Sequence, residues 1–171
     1  MRAVALDVLE RVGSEARQAL AEEPDAFKAL VRYMHRALDF RIAAVMPVML
    51  GHISLEGDEE IARARDTAVE PVQRMIELAQ REGSLRPDLA FGDVGLMLVR
   101  ISRPLPGAFP RELNDRLAHR HVDLLLQGLR SSPDLVGMAL PGPAMGLADL
   151  RSASPEPLGQ PAASDTASNG N

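Results

Sequence analysis

Histidine is the side chain in this sequence best suited to bind a metal or transfer a proton, and the chain has four of them. His119 and His121 are two residues apart in a segment with helical spacing, so they point to different faces and cannot share a metal. His35 and His52 are isolated in the sequence. We therefore predict no metal site, and interpret the four as two surface or interface histidines and two polar residues near a core.

Nucleophilic catalysis has equally little support in these residues. The sequence has no Cys, no Gly-x-Ser-x-Gly motif and no Ser beside a plausible base. The acidic run Asp58-Glu59-Glu60 lies at a predicted helix start, where carboxylates interact favourably with the helix dipole. A phosphate site would need a glycine-rich loop, which the sequence lacks. We therefore predict that the protein is not an enzyme and needs no cofactor.

Composition and charge narrow the possible partners. Hydrophobic residues make up 46% of the chain and charged residues 25%, values typical of soluble globular proteins. The formal net charge of −5 argues against DNA contact by these residues, because nucleic-acid-binding surfaces are normally basic. No apolar run approaches the roughly 18 residues that a membrane span needs. We expect a cytoplasmic protein with no membrane association, which the absence of Cys fits.

Amphipathic segments make up most of the chain and must position whatever site exists. Apolar residues recur at helical spacing in five of them, and no strand pattern or internal repeat appears. We expect a kink or an early helix end at Pro47, and a helix stop at Gly83. The sequence therefore predicts an all-α helical bundle of about five main helices. The segments are Arg2 to Glu22, Asp25 to His52, Glu59 to about Arg81, Asp93 to Ser102 and Arg111 to Arg130.

The end of the chain divides into a very apolar helix and a tail of different composition. The last predicted helix is apolar around more than half its circumference, so one face can meet the domain and the other needs a second partner. Beyond it the sequence becomes rich in Pro, Gly, Ser and Ala. We predict a domain over residues 1–131 and a largely disordered tail over 132–171. Whether residues 135–150, which keep some Leu and Met, pack on the domain stays open.

Two motifs in this order resemble the TetR family of transcriptional regulators. The linker Glu82-Gly83-Ser84-Leu85-Arg86-Pro87-Asp88 is similar to a signature of TetR-family C-terminal domains, in which a Leu-Arg-Pro-Asp element precedes the helix pair used for dimerisation. The ending from His121 to Arg130, with Leu-Leu-x-Gly-Leu-Arg, resembles the family's last helix. Leu9 to Val12 and Ala26 to Leu38 resemble the two helices after the DNA-binding domain. The resemblance covers residues 1 to 130.

The resemblance implies a ligand-binding and dimerisation domain of a ligand-responsive repressor. In this family a small molecule lies among the central helices, which here are the first four. Met residues from three segments fit a soft, apolar interior that suits a small apolar effector, although they could equally fill an irregular core. The candidate pocket residues are Tyr33, Met34, His35, Met46, Met49, His52, Met75, Met97 and Arg100.

The resemblance also places the fourth and fifth helices in a four-helix bundle across a two-fold axis. The partner is then a second copy of this chain, in agreement with the excess apolar surface of the last helix. His121 within such a seam would make the dimer sensitive to pH. The candidate interface residues are Val94, Leu98, Ile101, Leu117, His121, Leu124, Leu125 and Gly128.

One departure from the family pattern is large. Family members begin with a helix-turn-helix DNA-binding domain, and this sequence shows none, so we expect DNA contact only through a domain missing from this chain. A late start codon, a truncated gene and a true variant without that domain all stay open. The alternative function is a free-standing helical small-molecule-binding or protein-interaction module unrelated to transcription.

Overall fold

The computed structural model of the protein describes residues 2–40, 59–107, 109–132 and 139–152. Within these ranges the chain forms six α-helices and one isolated β-bridge, so the predicted all-α fold is confirmed. The break expected at Pro47 and the predicted continuation of the second helix to His52 lie outside the described residues. The helices are α1 (Arg2–Glu22), α2 (Ala26–Asp39), α3 (Glu59–Arg81), α4 (Phe91–Ile101), α5 (Arg111–Leu129) and α6 (Leu147–Ser152).

α1, α2 and α3 pack on one another and supply most of the buried aliphatic core. α1 and α3 come closest where Gly13 faces Ala68, and a Cβ atom added to Gly13 would lie only 2.9 Å from the Ala68 Cα. The buried residues Ala16 and Ala19 keep the rest of this α1 face small. Small side chains therefore set the spacing of the two longest helices, since interaxial distance depends on the side chains at the contact.

Polar contacts fix the start of α2 and its packing on α1. The Asp25 carboxylate accepts a hydrogen bond from the Lys28 backbone N–H at 2.7 Å and caps the helix. Arg32 Nε donates to Glu15 of α1 at 2.8 Å, and Arg32 Nη1 donates to Glu22 at 2.7 Å. Because Glu15 is buried, pairing with Arg32 offsets the cost of taking its charge out of water. The ion pairs thereby add to the apolar packing of α2 on α1.

α3 continues as a helix through Pro71 and stops at Gly83. Gly83 has a φ of +71°, a left-handed conformation that favours glycine. The backbone N–H groups of Ser84 and Leu85 then donate to the Ala79 carbonyl at 3.0 and 3.1 Å, which satisfies a terminal helix carbonyl. The predicted helix stop at Gly83 is confirmed.

Residues 139–152 follow the last long helix and pack against α4. The Gly92 N–H donates to the Met145 carbonyl at 2.8 Å, and Leu150 is buried. A Cβ atom on Gly92 would lie 2.5 Å from the Met145 oxygen, so this close approach requires glycine. The sequence left open whether residues 135–150 pack on the domain, and residues 139–150 do so through α4. The predicted tail from residue 153 onwards lies outside the described residues.

Candidate functional site

The linker between α3 and α4 joins three parts of the chain. Leu85 is buried and forms the isolated β-bridge with Arg130, just after α5. Arg86 donates two hydrogen bonds to Asp88, from Nε to Oδ1 at 2.6 Å and from Nη2 to Oδ2 at 2.8 Å. Asp88 Oδ2 also accepts the Leu140 backbone N–H at 2.7 Å. The Arg86 guanidinium and this N–H hold the pKa of Asp88 well below its usual range, so the carboxylate stays charged at this junction.

The outward face of α5 carries an exposed apolar stripe. Leu117, His121, Leu124, Leu125 and Gly128 recur at helical spacing, and each is exposed or half-buried. Leu124 has 56% of its surface exposed, which is high for a leucine at the centre of such a stripe. α5 buries only its opposite face, through Val122, Leu126 and Leu129.

α4 contributes less to this outward face than the sequence predicts. Val94 and Leu98 are each 2% exposed and pack into the core of their own chain, so they offer no surface to a partner. The reason is that α4 is apolar on more than one side, and helical spacing alone does not tell which side faces inward. Ile101 is half-buried and lines a groove of about 220 Å³ between α4 and α5, together with Arg100 and His121.

The predicted pocket residues that the structure describes lie in different parts of the domain. Tyr33, Met34 and Met75 are buried in the α1–α3 core, where burial raises the pKa of the Tyr33 hydroxyl. Met97 is half-buried against that core, and Arg100 lies in the α4–α5 groove. His35 lies between α2 and α5. The remaining candidates Met46, Met49 and His52 lie outside the described residues.

A groove of about 550 Å³ runs between α1 and α3, and the sequence analysis did not identify it. Its volume is in the range of small-molecule sites, roughly 300–1,000 Å³. Apolar side chains lie beside charged ones along its length, and Arg2 pairs with Glu60 across the two helices. No spacing rule predicts such a groove, because small residues on two helices far apart in sequence create it. It is lined by Leu6, Leu9, Glu10, Gly13, Arg17, Glu60, Arg63, Ala64, Thr67 and Ala68.

Two histidines meet between α2 and α5. The Nδ1 atoms of His35 and His119 are 2.8 Å apart, so His35 is not isolated as the sequence suggested. His35 Nε2 lies 2.9 Å from Asp123 Oδ1, and His119 Nε2 lies 3.3 Å from Asp39 Oδ1. The four side chains form a line with the carboxylates at its two ends. Among the described residues, no group of three or more His, Cys, Asp or Glu has the arrangement of a metal site.

Comparison with known proteins places the chain among sensor domains of regulators. The family model described as transcriptional regulator SbtR-like, C-terminal domain, matches residues 25–131, more than half of the chain. No curated protein matches the sequence. None of the helices in the described ranges is long and apolar enough to span a membrane.

Proposed function

The chain belongs to the TetR family of transcriptional regulators through its SbtR-like C-terminal domain, and we propose that it is the effector-sensing and dimerisation domain of a ligand-responsive repressor. Effector binding would shift the population of two helix arrangements and change the spacing of two DNA-binding heads. DNA contact then requires a helix-turn-helix domain.

The exposed apolar stripe on α5 carries this proposal. A row of Leu side chains at helical spacing, with Leu124 exposed and Leu117 and Leu125 half-buried, is typical of a surface that a partner covers. A two-fold axis beside α5 would bring the same stripe from a second copy against it, since homodimers use one self-complementary patch. We propose that the interface comprises Ile101, Leu117, His121, Leu124, Leu125 and Gly128.

Analytical ultracentrifugation tests the proposed dimer directly. We expect the chain to sediment as a dimer at micromolar concentration, because an exposed leucine stripe on a domain of this size is unfavourable in water. A monomer at high micromolar concentration would contradict the dimerisation part of the proposal.

The groove between α1 and α3 is the candidate effector site. It combines an apolar floor with charged side chains at its rim, including Arg17 and Arg63, which could fix the orientation of a ligand. Because α1 and α3 also pack on α2, a ligand that separates or tightens these helices would act on the whole body of the domain. We propose that a small, mainly apolar effector binds here.

Filling the groove is expected to abolish the response to effector. Ala64 lines the groove and is half-buried, so Ala64→Phe should occupy part of the 550 Å³ without entering the core. A thermal-shift screen with small apolar compounds first identifies those that raise the melting temperature of the parent chain. We expect Ala64→Phe to lose this response.

The matched control is Ala21→Phe, which adds the same ring to an exposed position of α1 that does not line the groove. It should respond as the parent does. If Ala64→Phe also responds like the parent, the effector binds elsewhere, and the groove assignment is wrong.

A further inference from the structure

We propose that His35 and His119 share a single proton and act as a pH-sensitive latch between α2 and α5. α2 belongs to the three-helix body, and α5 carries the outward apolar stripe, so the latch joins the two functional parts of the domain. The proposal concerns the protonation of this cluster and the contact that depends on it.

The two imidazole rings lie edge to edge in one plane. The ring planes differ by 9°, and the ring centroids are 5.1 Å apart. The two Nδ1 atoms are 2.8 Å apart, and the difference between the two distances is about twice the distance from the centre of an imidazole ring to one of its atoms. Both Nδ1 atoms therefore lie on the line between the centroids and face each other directly. A separation of 2.8 Å is a hydrogen-bond distance, so one nitrogen must donate and the other accept.

The outer nitrogens require protons of their own. His35 Nε2 faces the carboxylate of Asp123, and His119 Nε2 faces that of Asp39. A carboxylate only accepts hydrogen bonds, so His35 Nε2 must donate to Asp123, and the Asp39 carboxylate 3.3 Å from His119 Nε2 favours a proton on that nitrogen. Together with the proton between the two Nδ1 atoms, the pair holds three ring protons. Two neutral imidazoles hold two protons in all, so the complete arrangement carries one positive charge shared between the rings.

Both other protonation states break a contact. If both rings are neutral, only two ring protons are available for three contacts. One contact then has a lone pair on nitrogen facing either the lone pair of the second Nδ1 or a carboxylate oxygen. If both rings are fully protonated, two Nδ1–H groups point at each other. Only the singly charged pair satisfies all three contacts, and its hydrogen bonds are charge-assisted. The latch should therefore be strongest at intermediate pH and weaken in both directions.

The surrounding charges favour one shared positive charge. Asp39 on α2 and Asp123 on α5 supply two carboxylates at the ends of the line. Asp39 is also 3.5 Å from Arg36 Nη1, and Arg36 Nε is 3.9 Å from the α1 residue Glu15, so Arg36 links α1 to the cluster. On α5, Arg120 lines the same α2–α5 groove as Asp123. Within the described residues, no recorded ion pair or hydrogen bond joins α3 to the two rings.

The spacing of the four residues explains how two helices build this line. His35 and Asp39 are four residues apart on α2, and His119 and Asp123 are four apart on α5, so each pair lies on one helix face. Each histidine contacts the aspartate of the other helix. The contacts are thus all between helices, and breaking them loosens α5 from α2.

Unfolding by urea across pH tests the latch. We compare the parent with His119→Gln, His35→Gln and the double variant from about pH 5 to about pH 9, at one protein concentration. Glutamine cannot titrate but still fills the half-buried space. We expect the unfolding equilibrium constant of each single variant to exceed that of the parent by roughly tenfold at intermediate pH and to approach it at both extremes. The double variant should lose no more than either single one.

Arg116→Gln is the matched control, because Arg116 is exposed on the same helix and lies outside both the proposed interface and the histidine cluster. Its stability should follow the parent across pH. A difference between the parent and His119→Gln that changes in one direction only, or not at all, would overturn the shared proton. None of these substitutions changes a residue of the proposed interface, so a monomeric chain would contradict the proposed dimer and leave the latch intact.

Ring protonation can be observed directly in the full chain. Nitrogen-15 NMR at intermediate pH should show both Nε2 atoms protonated and one proton exchanging between the two Nδ1 atoms. Two Nε2-protonated rings with bare Nδ1 atoms would contradict the proposal. Addition of Zn²⁺ is expected to leave the stability unchanged. Stabilisation by Zn²⁺ that His119→Gln abolishes would replace the proton with a metal and overturn the latch.

Discussion

Leu124→Glu is expected to convert the dimer into a monomer. Leu124 is 56% exposed at the centre of the α5 stripe, so the substitution leaves the fold of one chain intact. In a two-fold dimer it would bury two unpaired carboxylates close to the axis. Losing a central interface residue costs about 2 kcal/mol or more, and symmetry doubles the change. We therefore expect the dissociation constant to rise by roughly three orders of magnitude.

Sedimentation equilibrium measures this constant, and circular dichroism confirms that the helices persist. Val4→Glu is the control, because Val4 is an equally exposed apolar residue on α1, away from the proposed interface. It should leave the dimer unchanged. A Leu124→Glu chain that remains dimeric would place the interface on another face of the molecule.

Gly13→Leu is expected to be the most destabilising single substitution on α1. The Cβ atom would lie 2.9 Å from the Ala68 Cα, and a backbone atom cannot rotate away as a side chain can. α1 and α3 would have to separate, which disturbs the core that they share with α2. Overpacking of this kind costs about 3 kcal/mol, a large part of the stability of an ordinary domain. Urea unfolding measures the loss.

The control for this substitution is Gly128→Leu. Gly128 is also inside a helix, but nothing lies within 4 Å of a Cβ atom built on it. Both variants are best made in the Leu124→Glu chain, so that association does not contribute to the measured stability. Gly128→Leu should be neutral or slightly stabilising, since glycine is a poor helix residue. Equal effects of the two substitutions would mean that helix propensity, and not the α1–α3 contact, determines the result.

The helices themselves could be predicted from local patterns. Apolar spacing located α1, α3, α4 and α5, and Gly83 ended α3 as expected because a left-handed residue at a helix terminus is a local requirement. The family was likewise recognisable from short motifs. The junction formed by Leu85, Arg86 and Asp88 is a tight linker, so its residues are neighbours in the sequence and could be recognised there.

The candidate sites were predicted only in part. The outward stripe on α5 followed from the excess of Leu on one helix, which is visible in its periodicity. For α4, periodicity showed that the helix is apolar but not which side meets the core, so Val94 and Leu98 were placed at the interface although both are buried in their own chain. The Met residues of the predicted pocket were recognised by type, and type does not distinguish a core from a cavity.

By itself the sequence determined that the chain is helical, where α1 and α3 stop, which family it belongs to and which helix has surplus apolar surface. These properties depend on residues that lie within about one helix length of each other, so the spacing of residue types along the sequence is enough to predict them. Only the tertiary structure decided that His35 contacts His119, which lies 84 residues further along the chain. It also decided that α1 and α3 come closest at Gly13 and Ala68. Such contacts depend on how whole helices cross, and the sum of many weak packing interactions sets that geometry.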